Sequence, residues 1–257
     1  MATATSPAPG QLQKGVSPLR AGQGNSYFFR KLHSLTGIIP IGAFIVEHFL
    51  SNTEALKGPA AYAAQVKLLN SLPWVPILEW TFIFLPILYH ALYGFYIWYR
   101  GESNLADYPW IHNWMYTAQR WTGGIAFFYI LQHTYYLRFT GVRLADHPAA
   151  SFAKVHHELS NPWMFAVYII AIVATSWHFS YGLWLFSAKW GITPGDKARR
   201  RFGYVCTALA VALIAIEVAS AISFLAPKYS YGWTDATSPQ QTQGQLQLPA
   251  SAQGTSK

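Results

Sequence analysis

Five stretches of this chain, at roughly 33–51, 75–99, 121–139, 163–188 and 202–226, are apolar over the ~20 residues that carry a helix across a bilayer. No charged residue lies between Glu79 and Arg100. Composition agrees: 11% of residues are charged, against about 25% in an ordinary soluble domain, too few to coat a globule. A membrane β-barrel would alternate over segments of about ten residues and need about eight or more strands. The expectation is an all-α integral membrane protein with five transmembrane helices. Pro40 and Pro86 fall inside spans, where neighbouring helices can satisfy the freed carbonyl.

Residues 1–26, rich in Pro, Gly, Gln and Ser, lack the apolar core of a cleavable signal and read as a disordered cytoplasmic lead-in. Residues 27–227 form the membrane domain, and 228–257 are a polar low-complexity tail. Net charge is +8, yet the cations cluster beside apolar runs, as topology signals do, and form no basic stripe for nucleic acid. The N-terminal segment and the loops after spans two and four hold eleven Lys and Arg, including the KARRR cluster at 197–201; the other side holds seven. This balance places the N-terminus in the cytoplasm and the C-terminus outside. The single Cys206 excludes an internal disulfide.

Ionisable groups at membrane depth are expensive and functional by default. His48, His90, His133 and His178 lie one on each of the first four spans, while His112, His147, His156 and His157 fall in loops, where solvation is the default. Spans alternate in direction, so His48 and His133 share an outer level, and His90 and His178 an inner level ~22 Å below the outer surface. Two pairs on four helices is the layout for two bis-histidine haems stacked across a membrane. Gly94 and Gly182 lie four residues after the inner histidines, on the same face, and leave room for a porphyrin. Gly37 precedes His48 by 11 residues and Gly123 precedes His133 by 10, about three turns or ~16 Å towards the inner level. Arg30, Lys31, His33, Ser34, Arg120 and Lys189 cluster at the inner mouth, where haem propionates would need partners. Small residues also serve close helix packing, and cations also snorkel, so each of these groups has a plainer role available.

The segments FRKLHSLTGIIPIGAFIVEHFL (29–50), SLPWVPILEWTFIFLPILYHALYG (71–94), NWMYTAQRWTGGIAFFYILQH (113–133) and WHFSYGLWLFSAKWGIT (177–193) closely resemble the dihaem cytochrome b membrane anchors of succinate dehydrogenases, the single-chain five-helix type. The resemblance covers residues 26–226. It implies that His90 and His178 ligate the inner haem b and His48 and His133 the outer one. It also implies flavoprotein and iron–sulfur partner subunits on the cytoplasmic face of a bacterial cytoplasmic membrane. Electrons would run from the clusters through the inner and outer haems to a membrane quinone, by analogy menaquinone. Related dihaem fumarate reductases carry a glutamate two residues before the fourth-helix ligand. Here that position is Ser176, which favours a succinate dehydrogenase.

Quinone reduction consumes protons, and Glu47, Glu79 and Glu217 fall within the outer halves of spans. The expectation is a quinone site near the outer haem, served by Glu47 or Glu79. Glu79 could instead mark the interface, and Glu217 could meet another helix. Anchors of hydrogenases and formate dehydrogenases share the four-helix, two-haem logic but lack the HSLTG and SAKWG segments. A haem-free transporter with histidine relays would need polar residues along a path, whereas Phe, Trp, Leu and Ile surround these histidines.

Overall fold

The computed structural model describes residues 22–101 and 109–226, so most of the two end segments lies outside the described residues. The described chain is helical: α1 (Gly22–Ile38), α2 (Pro40–Asn52), α3 (Pro59–Asn70), α4 (Val75–Glu79), α5 (Leu85–Arg100), α6 (Ile111–Thr134), α7 (Ser151–Leu159), α8 (Pro162–Lys189) and α9 (Gly195–Phe224). The two prolines read as internal to spans sit where the helix changes character. Pro40 occupies the first turn of α2, and Ile39 alone separates α1 from α2. Pro86 follows a π-helical turn at Trp80–Phe84, which widens the ladder where its ring would otherwise meet the carbonyl four residues back. Asn161 begins α8, its Oδ1 accepting from the backbone N–H of Trp163 at 2.9 Å and of Met164 at 3.4 Å, with Pro162 in the first turn.

Among the described residues, Ser26–Lys57, Val75–Arg100, Pro162–Lys189 and Gly195–Phe224 are long and apolar enough to cross a membrane. Helix α6 has 24 residues, ~36 Å at 1.5 Å per residue, but Asn113, Gln119 and Arg120 dilute its first half. The stretch Val75–Arg100 buries none of its residues. Phe82, Leu85, Leu88, Leu92 and Tyr96 all point outward, a continuous apolar face that water would not tolerate and lipid solvates. Packing closes a ring of four: α1 meets α5, α5 meets α6, α6 meets α8 and α8 meets α1. Helix α9 lies outside that ring, against α8 and α2.

Helices α3 and α7 close one end of the bundle. Phe152, Val155 and Leu159 of α7, spaced at i, i+3 and i+7, join Ala55, Tyr168, Ile172, Ala221 and Phe224 in the largest buried cluster. This corrects the reading of His156 as a solvated loop residue: it lies on α7, its Nδ1 is 2.6 Å from the Phe224 carbonyl, and so it donates there. A helix of nine residues, with histidines on its polar side, is too short for its periodicity to stand out in sequence. Lys154, 2% exposed, donates its Nζ to the carbonyls of Leu137, Thr140 and Val142 at 3.2, 2.6 and 3.1 Å. These carbonyls lie in, at the cap of and just beyond the π-helical turn Tyr135–Phe139 that follows α6, so one buried cation serves a helix terminus and the chain leaving it. Burial lowers the Lys154 ammonium below its usual range, opposed by the nearby Glu158 carboxylate.

Candidate functional site

Four histidines on α2, α5, α6 and α8 form two facing pairs. The rings of His90 on α5 and His178 on α8 have centroids 6.2 Å apart and planes at 87°. Those of His48 on α2 and His133 on α6 are 5.9 Å apart at 82°. A metal–imidazole bond is about 2 Å, and the ring centre lies ~1 Å behind the nitrogen, so two imidazoles sharing an iron place their centroids ~6 Å apart. Both pairs have that spacing. No cluster of three or more His, Cys, Asp or Glu gathers among the described residues, and a porphyrin iron needs only two protein ligands, since the macrocycle supplies the rest.

Each inner histidine is held the same way. Nδ1 of His90 is 2.9 Å from the backbone carbonyl of His33, and Nδ1 of His178 is 2.9 Å from that of Gln119. Each ring therefore donates from Nδ1 and keeps Nε2 free as a ligand. Four residues beyond each accepting carbonyl stands a glycine. A Cβ on Gly37 would collide with the His90 ring, and one on Gly123 with the His178 ring. The space these glycines leave lets an imidazole ring from the facing helix come close. Thr36 and Thr122 precede them; Thr36 donates to the His33 carbonyl at 3.0 Å, whereas Thr122 donates to the Ala118 carbonyl at 2.7 Å and lies 3.3 Å from that of Gln119. Gln119 completes a reciprocal pair by donating Nε2 to the His178 carbonyl at 3.0 Å. A Cβ on Gly94 would meet His33, and one on Gly182 would meet Gln119, each at 3.3 Å.

The inner mouth gathers the predicted cations. Lys189 at the end of α8 donates to the Arg30 carbonyl at 2.9 Å, and Lys31 donates to the Lys189 carbonyl at 3.0 Å while lying over the Trp190 ring. Ser34 donates to the Lys31 carbonyl and accepts from Trp190 Nε1 at 3.2 Å. His33 stacks on His90 with centroids 4.0 Å apart, and its buried Nδ1 has no partner. Arg120, lying over the Tyr116 ring and bonded to its hydroxyl, also keeps a buried Nε without a partner. A partnerless buried ring nitrogen against His90 and a partnerless buried guanidinium nitrogen on α6 suit an anionic group such as a propionate.

At the outer pair, His48 stacks on Phe44 at 5.4 Å. His133 Nδ1 is 3.1 Å from both the Tyr129 and the Tyr168 hydroxyls. Tyr168 donates to Glu158 Oε2 at 2.6 Å, and Gln132 donates to Glu158 Oε1 at 2.7 Å. Burial raises the Glu158 carboxyl above its usual range, while those two hydrogen bonds and the Lys154 and His157 charges pull it back. Sequence reasoning passed over Gln119, Tyr129, Gln132, Glu158 and Tyr168. Only Tyr129, one helical turn before His133, carried a positional signal; Gln119 is engaged partly through its backbone, and Glu158 sits on the unrecognised α7.

Glu47 and Glu79 separate. Glu47 Oε1 accepts from Ser51 Oγ at 2.5 Å, and Gln65 donates to that hydroxyl at 2.9 Å. All three line a cleft of about 720 Å³ with Ile38, Val46, Leu50 and Phe179, a volume within the usual range for small-molecule sites. Glu79 is paired instead with Arg138 at 2.8 Å. Glu217 accepts from Asn52 of α2 at 3.3 and 3.5 Å, a contact between helices.

Residues 105–216 match the family described as succinate dehydrogenase/fumarate reductase transmembrane subunit. The chain is also 35% identical, over 199 residues, to the succinate dehydrogenase cytochrome b558 subunit of Bacillus subtilis (strain 168). That alignment covers 77% of this chain and 97% of the relative.

Proposed function

This chain belongs to the succinate dehydrogenase/fumarate reductase transmembrane subunit family, and we propose that it is the dihaem membrane anchor through which a succinate dehydrogenase delivers electrons to quinone. The observation that carries this reading is the pair of facing imidazoles at each of two levels, with centroids 6.2 and 5.9 Å apart. His90 and His178 hold the inner haem b, and His48 and His133 the outer one. When bound, the two haems supply one-electron carriage across the bilayer between the iron–sulfur subunit and quinone.

The chain's own contribution is ligation, orientation and charge. Backbone carbonyls of His33 and Gln119 fix the inner imidazoles with Nε2 inward, and Gly37 and Gly123 let those rings approach the facing helices. His33, Arg120, Arg30, Lys31, Ser34 and Lys189 surround the propionates, and Gly94 and Gly182 keep the inner helices close to the macrocycle. Helix α6 is the third of five spans. The flavoprotein and iron–sulfur subunits dock on the face that carries the N-terminus and the 197–201 cations, in the cytoplasm of a bacterium. Menaquinone occupies the cleft beside Glu47, whose carboxyl hands protons to a reduced quinone while Ser51, held in turn by Gln65, orients it. The Arg138 ion pair commits Glu79 elsewhere. Ser176 is fully buried with an unpartnered hydroxyl, and a serine rather than a carboxylate here favours a succinate dehydrogenase over a fumarate reductase.

Single substitution of the four histidines by alanine in the assembled complex tests the assignment. H90A and H178A are expected to remove one and the same haem, and H48A and H133A the other. Loss of the same haem from H90A and H48A would overturn the pairing.

A further inference from the structure

The outer ligand His133 differs from its inner counterparts in what stands behind it. The inner imidazoles donate to neutral backbone carbonyls, whereas behind His133 the donors run towards a buried carboxylate. Gln132 and Tyr168 place one donor on each oxygen of Glu158, at 2.7 and 2.6 Å, the geometry of a two-oxygen acceptor. With its O–H committed to Glu158, Tyr168 can only accept at its oxygen; a His133 that ligates through Nε2 carries its proton on Nδ1 and donates it between the Tyr168 and Tyr129 oxygens, each 3.1 Å away. Glu158 is 5% exposed and Tyr168 6%, which keeps water from competing for either.

We propose that Glu158 and Tyr168 are positioning residues for the outer haem ligand: the relay fixes His133 with Nε2 towards the iron and lends the imidazole anionic character that lowers the outer haem's reduction potential. A ligand whose second nitrogen donates towards a carboxylate is more basic, and a basic, negatively polarised ligand favours ferric over ferrous iron. The inner pair, backed by carbonyls, lacks this charge, so the relay separates the two haems in potential. The proposal rests on the two-haem reading above.

The test is a redox titration of the purified three-subunit complex, comparing the native chain with E158Q and Y168F. Both variants are expected to move one haem transition, the same one, to higher potential and to leave the other in place. The expected shift is about a tenfold change in the reduced-to-oxidised ratio, ~59 mV for a one-electron couple. Two retained haems with unmoved potentials in both variants would overturn the proposal, as would equal movement of both transitions. Should E158Q lose a haem, Y168F decides, because it removes only a hydroxyl; an unmoved potential there overturns the relay. A native complex with fewer than two haems would instead bring down the two-haem reading, so the two failures are distinguishable.

Discussion

Gly123→Ala should strip the inner haem while its neighbour Gly124→Ala should not. Both substitutions sit on the same turn of α6 and gain the same helix propensity, about 1 kcal/mol. They differ in what the new methyl meets. At position 123 it would lie 2.6 Å from His178 Cε1 and 3.1 Å from Nδ1, so the imidazole must retreat by ~0.8 Å to reach ordinary contact. Functional groups need to be held within about 0.5 Å, and this ring is pinned by the 2.9 Å bond from Nδ1 to the Gln119 carbonyl. It can retreat only by breaking that bond or by losing its aim at the iron. Overpacking of this kind costs about 1–3 kcal/mol, a weakening of haem retention by roughly 5- to 150-fold. At position 124 the methyl meets the edge of the Trp98 ring at 3.0 Å, with no haem ligand in reach. Haem content per chain in the purified complex, by pyridine haemochrome, should fall to about half in G123A and stay native in G124A. Two haems at native potentials in G123A would refute the account of why glycine stands there.

Glu47→Gln should lower succinate:quinone turnover by about 100-fold, the scale of a lost proton-transfer group, with both haems retained; unchanged turnover would remove Glu47 from the quinone site. Glu79→Gln should cost at most ~1 kcal/mol of stability, because its ion pair with Arg138 is partly exposed, and should lower turnover far less than E47Q; an equal fall would restore Glu79 as a proton donor. Lys154→Met leaves the Leu137, Thr140 and Val142 carbonyls without their donor and should cost about 2 kcal/mol. The thermal midpoint, followed by haem absorbance, should drop by ~4–8 °C; an unchanged midpoint would contradict the reading of Lys154 as the donor that satisfies the end of that turn.

The legible parts of this molecule are those the bilayer dictates. A membrane span must be long, apolar and helical, so Val75–Arg100 and Pro162–Lys189 stand out in sequence within a residue or two of their ends. Depth along such spans is arithmetic, and counting from helix ends puts His90 level with His178 and His48 level with His133, the rings that face each other in the structure. The same arithmetic could not reach α7, whose burial depends on residues from three other segments. It could not find the Gln119 and His33 carbonyls either, because a backbone acceptor leaves no mark on side-chain identity. Gly37 and Gly123 were visible as small residues at the inner level, but their partner, an imidazole from the facing helix, is a fact of packing. Glu47 and Glu79 looked alike in sequence; one lines a cleft and the other is held by Arg138.

Haem stoichiometry tests the central claim most directly: the number of b haems per mole of this chain in the intact complex, titrated against potential. Two haems with two separate midpoints are expected, one for each histidine pair. A single haem would contradict the two-level arrangement, and none would return all four histidines to hydrogen bonding between helices.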